Sequence, residues 1–264
     1  MLFITADQWR GECLSAMGHR MVKTPHLDAL AGMGTLFRRH YSQSTPCGPA
    51  RASLYTGLYQ HNHRTVTNGT PLDDRHANFA LEARKGGHDP ALFGFTDIAA
   101  DPRGRDGDDP ELRVRAGLLP GLTPVLRMDG RYLPWKKALR QRGYEVDDDP
   151  RSLFRPNREG IDPARGRTFA PARYRAEDSV AAFLTDQALA YISSREGTPW
   201  FAHISYHAPH PPSSCRPPIT PSTMRRRCPC PFATPARRKR PNSIPGPVFI
   251  SRTNWTPLIL MAPR

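Results

Sequence analysis

A mainly parallel sheet with helices on both faces is the α/β architecture this sequence predicts, and three observations carry it. Short apolar runs read as buried strands at residues 2–6, 89–95 and 200–206. Helical segments closed by glycine fall between them, and alternation of strand and helix builds parallel sheets with right-handed crossovers. Asp7, Cys47 and His210 all fall at or just beyond strand ends, where open α/β sheets place their ligands.

Taken in order, Leu2-Phe-Ile-Thr-Ala6 is a buried strand that delivers Asp7. Thr24 caps a helix that starts at Pro25, carries Leu27, Leu30 and Ala31 on one face, and stops at Gly34. His26 and Asp28 read as surface. Residues 35–41 read as a strand entering a loop at 44–48, after which Pro49 can open a helix over 50–55 that Gly57 ends. His61 and His63 lack further ligand types nearby and read as a solvated loop. Residues 78–85 form a helix with a glycine stop, and 89–95 a strand leading to Thr96 and Asp97.

Residues 100–130 are rich in Gly, Pro, Asp and Arg without periodicity and read as a surface excursion. Residues 133–143 make a helix, and 147–169 are again loop. Val180, Phe183, Leu184, Ala188, Tyr191 and Ile192 then share a helical face. The strand that follows contains His203, which reads as packed, and ends in His207-Ala-Pro-His210.

Composition bounds the rest. The net charge of +14 is carried unevenly: residues 213–264 hold ten Lys or Arg and no acidic residue, while 1–212 hold 28 basic and 24 acidic side chains. A domain over 1–212 and a low-complexity, basic, proline-rich tail over 213–264 follow, and the tail reads as disordered. Five irregularly spaced cysteines give no disulfide framework. No run approaches the roughly 20 apolar residues of a bilayer span, and the N-terminus lacks a signal-peptide pattern, so the expectation is a cytoplasmic protein without a membrane partner.

The chemistry centres on Cys47-Gly-Pro49-Ala-Arg51 with Leu54-Tyr-Thr-Gly57 behind it. A cysteine at a helix start feels free N–H groups and the positive dipole end, and an arginine one turn inside offers a planar fork. That is a site for a tetrahedral anion. A cysteine phosphatase would need five residues between Cys and Arg, where this chain has three.

Cys-x-Pro-x-Arg with Leu-x-Thr-Gly resembles the sulfatase signature, and Pro-Cys-Gly-Pro-Ala-Arg-Ala-Ser-Leu is most similar to the phosphonate monoesterase and arylsulfatase branch of the alkaline-phosphatase-like superfamily. Asp7-Gln8-Trp9-Arg10 resembles the same branch. The resemblance implies an alkaline-phosphatase-like fold and hydrolysis of small anionic sulfate, phosphonate or phosphate esters. It implies a formylglycine nucleophile made from Cys47 by a formylglycine-generating or anaerobic sulfatase-maturing enzyme. It also implies a divalent metal (Ca, Mn or Mg) on Asp7, Gln8 and residue 47. By the same resemblance Arg51 organises the nucleophile, His210 contacts the transferred group or protonates the leaving oxygen, and Asn68, Phe95 and Thr96 contact substrate. Phe95 stands where that branch has tyrosine.

The resemblance covers residues 2–212, about the first half of such an enzyme. The family completes its metal site with an Asp-His or Asp-Asn pair from its second half, and no Asp follows Asp186 here. The expectation is a truncated form, inactive as written, with a frameshift or misjoined gene end after Pro212. Full-length relatives leave oligomerisation open. The alternative is a non-catalytic protein whose basic tail binds nucleic acid or another polyanion. It ranks below, because the tail's aromatic stacking positions are few.

Overall fold

The computed structural model describes residues 1–149, 152–155, 157 and 171–211. Strands β1 (Leu2–Ala6), β2 (Pro90–Gly94), β3 (Thr123–Arg127) and β4 (Phe201–Tyr206) form one sheet in the order β1-β4-β2-β3, with every pairing parallel. Helices α1 (Pro25–Met33), α2 (Cys47–Thr56), the single turn α3 (Gln60–His63), α4 (Phe79–Lys85), α5 (Leu133–Gln141) and α6 (Val180–Ser193) lie between and around them. Among the described residues no helix is long and apolar enough to cross a membrane.

Every residue of β2 is buried, and its side chains alternate between two cores. Ala91 and Phe93 pack with Trp135 and Leu139 of α5 and with Val180, Leu184 and Ala188 of α6. Leu92 points the other way, to Ala52 and Tyr55 of α2 and Ala80 of α4. The expected helices on both faces are therefore present. Asn78 and Ser179 supply the N-caps that start α4 and α6.

Several local expectations fail for identifiable reasons. Residues 35–41 form no strand; Phe37 and Tyr41 are exposed, and β-favouring residues need a neighbouring ladder to pair with. Residues 100–130 are not only an excursion, because β3 lies within them. Pro124 disguises β3 in the sequence, yet a proline is tolerated on an edge strand, where one row of N–H groups has no ladder partner. α2 starts at Cys47 rather than at Pro49, whose missing N–H falls in the first turn, where none is needed. The tail from 213, and most of the loop over 147–169, lie outside the described residues.

Two polar residues set aside as surface or solvated prove structural. Asp28 accepts from Ser15 Oγ (2.6 Å), Ala16 N (2.8 Å) and Thr24 Oγ1 (3.1 Å), tying α1 to the 3₁₀ turn Ser15–Met17. His63 is 2% exposed, with Nε2 2.8 Å from Ser53 Oγ and Nδ1 accepting from Thr65 N at 3.1 Å.

His203 is packed, as its position on the strand suggests. It is fully buried, stacked on Phe3 at 4.5 Å, with Nδ1 3.1 Å from the Phe3 carbonyl and Nε2 3.3 Å from Tyr55 Oη. A carbonyl only accepts, so Nδ1 carries the proton and Nε2 accepts from the phenol. Burial pushes its pKa down to about 3. An unfolded histidine protonates near pH 6.5, so the unfolded state binds more protons between about 6.5 and 3. Stability should fall as pH drops through that window, by up to about 1.4 kcal/mol per pH unit. His203→Asn should flatten this dependence in thermal denaturation series above and below pH 6.5; an unchanged slope refutes the assignment.

Candidate active site

The carboxyl ends of β1, β2 and β4 meet the N-terminus of α2 around a cavity of about 200 Å³. Asp7 is the first residue past β1, and its N–H donates to Tyr206 O at 3.0 Å, so the two strand ends stay in register through the site. Cys47 occupies the first turn of α2. The next N–H of that turn, from Gly48, donates to Asn68 Oδ1 at 2.8 Å, which fixes the Asn68 side chain over the helix start. Phe95 and Asp97 arrive from the end of β2, and His207 and His210 from the end of β4; all four line the cavity.

Arg51 lies one turn below Cys47 and is 6% exposed. Its Nη1 donates to Tyr55 Oη (2.9 Å), Ser205 Oγ (2.9 Å) and the Phe95 carbonyl (3.4 Å). Its Nη2 lies 3.9 Å from Asp7 Oδ2, and its guanidinium carbon sits 4.2 Å from the centre of the Phe95 ring. Gly94 makes this convergence feasible: at φ +116, a Cβ there would lie 2.1 Å from Ser205 O.

The electrostatics reverse one expectation from sequence. Arg51 and the helix start favour a Cys47 thiolate, but burial, Asp7 and Asp97 outweigh them, and the thiol is pushed up to about 11. A thiol held so firmly protonated is the opposite of a cysteine nucleophile's. Burial also raises the Asp7 and Asp97 carboxyls, against the pull of Arg51 and His210 on each. His207 is driven down to about 4, first by burial and then by His210 and Arg51.

Asp7, Cys47 and His210 each bring one donor atom to within 4.8 Å of the others. Gln8 adjoins them with a left-handed backbone (φ 60), and its Oε1 is buried without a hydrogen-bond partner among the described residues. A carboxylate and an orphaned amide oxygen, with an oxygen-bearing side chain in place of the thiol, suit a hard divalent cation. The residues present fit such an ion.

Of the residues singled out from sequence, the fold brings Asp7, Cys47, Arg51, Asn68, Phe95 and His210 together, with Gln8 beside them. Thr96 is not among them. It is fully buried, donating Oγ1 to Gly117 O (2.7 Å) and accepting from Leu119 N (3.0 Å), and so anchors the loop after β2. Asp97 takes the place at the cavity, turned inward by a left-handed backbone (φ 54). Asp129 and Tyr132 also line it. They follow β3, and a strand masked by Pro124 gave no signal that a functional edge lay beyond it.

Comparison with known proteins follows this geometry. The Sulfatase family description matches residues 1–108. The multifunctional alkaline phosphatase superfamily protein PehA of Trinickia caryophylli is 40% identical over 221 residues, covering 80% of this chain and 42% of that protein. The solved phosphonate monoester hydrolase of Agrobacterium radiobacter superposes with a TM-score of 0.76 at 46% identity, covering 82% of this chain and 42% of that one. The Silicibacter pomeroyi phosphonate monoester hydrolase gives 0.75 at 44%, with 83% and 42% covered. The chain thus spans 42% of the length of these relatives.

The raised thiol makes a direct prediction. In unmodified protein, alkylation of Cys47 by iodoacetamide at pH 8 should run roughly hundredfold slower than for an ordinary exposed cysteine, and climb steeply toward pH 11. Asp97→Asn removes one of the charges responsible and should speed the reaction at pH 8. Peptide mapping by mass spectrometry reads both rates, and a Cys47 rate with a midpoint below pH 9 contradicts the account.

Proposed function

On the premise that residues 1–108 belong to the sulfatase family and that the chain is related to phosphonate monoester hydrolases, we propose that the protein hydrolyses sulfate or phosphonate esters through a formylglycine made from Cys47. One observation carries the reading. Cys47 stands in the first turn of α2, over a buried arginine, where burial first and then the neighbouring Asp7 and Asp97 hold its thiol protonated. Such a cysteine is poor as a thiolate, which supports its use as an aldehyde made by a maturing enzyme.

The divalent ion that sulfatases use would be held by Asp7, Gln8 and residue 47, and would supply Lewis acidity toward the ester oxygens. The chain's own groups do the rest. Hydrated formylglycine carries two hydroxyls on one carbon. The first loses its proton to solvent and attacks sulfur or phosphorus, and the ester's leaving oxygen takes a proton from His210 and departs as an alcohol. The second hydroxyl then gives its proton to the now neutral His210, and the carbon–oxygen bond to the transferred group breaks. The sulfate or phosphonate leaves, and the aldehyde returns, to be hydrated again by water. Arg51, fixed by Tyr55, Ser205 and Phe95, keeps the helix start and Asp7 in one geometry. Asn68, held by Gly48 N, contacts the transferred group, and Phe95 walls the pocket.

Two measurements test this. Co-expression with a formylglycine-generating enzyme should yield a Cys47 peptide about 18 Da lighter than the thiol form, a change off the ordinary cysteine oxidation ladder. Recovering only thiol after co-expression sinks the proposal. In this chain if it is active, or at the matching histidine of a full-length relative, His210→Ala should lower kcat by roughly 10²–10⁴-fold for esters with poor leaving groups and much less for good ones. An equal loss across leaving groups would assign His210 to binding the transferred group.

A further inference from the structure

Tyr132 is a polar group at this cavity for which the reaction as described has no use. It precedes α5 as its N-cap residue, with a left-handed backbone (φ 55, ψ 31), and is only 7% exposed. Its ring is wedged edge-on against Phe154 (5.2 Å), His207 (5.9 Å) and Trp135 (6.1 Å), so the phenol has one direction available. It lines the cavity with Asp7, Cys47 and His210, and its hydroxyl, which is not a buried unpaired atom, makes no hydrogen bond to a described residue. A tightly ordered phenol whose hydroxyl is left to solvent has a donor free for a ligand.

We propose that the Tyr132 hydroxyl donates a hydrogen bond to an oxygen of the ester bound over Cys47, making Tyr132 a substrate-contacting residue of this site. The proposal rests on the ester-hydrolase reading above. The cavity wall already carries the carboxylates Asp7, Asp97 and Asp129, which can only accept from or repel an anionic oxygen. A neutral O–H adds attraction without adding charge. Burial and the neighbouring Asp7 push the phenol up to about 12, so it keeps its proton and acts as a donor.

The test measures phenylphosphonate binding to the full chain by calorimetry with Mn²⁺ present, comparing wild type with Tyr132→Phe, which keeps the ring packing. Loss of one hydrogen bond to a charged oxygen should weaken binding roughly tenfold or more with Tm unchanged. Affinities within twofold, with wild-type binding intact, overturn the Tyr132 contact and leave the ester-hydrolase reading standing. If the wild-type chain itself does not bind phenylphosphonate, both fall. Should Tyr132→Phe also lower Tm, 3-fluorotyrosine at position 132 decides. Its more acidic hydroxyl should tighten binding if it contacts the ligand, and unchanged affinity overturns the contact.

Discussion

A single guanidinium, buried where three strand ends meet one helix, is the constraint on which the site depends. Taking a charge of this kind out of water costs several kcal/mol even after relaxation. Arg51 offsets the cost by spending its donors in fixed directions: on Tyr55 from its own helix, on Ser205 from β4, and on the Phe95 carbonyl beyond β2. Asp7 beyond β1 completes the set as a counter-charge at 3.9 Å. No two of these partners share an element, so the arginine acts as a clamp between elements. The order extends further. Tyr55 donates a hydrogen bond to His203 Nε2, and His203 Nδ1–H donates one to the Phe3 carbonyl. The hydrogen-bond chain thus runs from the cavity wall through α2 and β4 into β1.

The same clamp governs the chemistry above it. Asp7 is held close enough to Arg51 to stay partly compensated, yet burial still raises its carboxyl. Cys47 sits over this pair and feels two carboxylates more strongly than one arginine. A thiol kept neutral resists adventitious alkylation and disulfide exchange. Gln8 adds a buried oxygen with no partner among the described residues, an arrangement that a folded protein keeps at a cost unless something binds there.

Much of this was legible in the residue order. The strands at either end of the described region and the glycine stops are local signals, and the alternation of strand and helix was enough to place Asp7 and His210 at neighbouring strand ends. Cys47, in contrast, was put beside them through a strand over 35–41 that does not form. What stayed hidden depended on partners distant in sequence. β3 reads as loop because its proline is acceptable only on an edge, and edge position is a property of the whole sheet. Asp129 and Tyr132 were invisible for the same reason. Thr96 and Asp97 were separable only by backbone conformation: a left-handed turn at Asp97 presents it to the cavity, and Thr96 faces the loop instead. Asp28 and His63 looked like surface residues because their partners, Ser15 and Ser53, carry no pattern of their own.

The spacing within α2 works as a ruler. Cys47, Arg51 and Tyr55 are four residues apart in each step, so they descend one stripe of the helix, from the cavity to the clamp to the hydrogen-bond chain. Each residue advances the helix by about 100°. One residue inserted between Cys47 and Arg51 would therefore swing the guanidinium about a quarter turn off its stripe, away from Ser205, while the cysteine kept its place. The length of chain between those three residues is therefore not free to change.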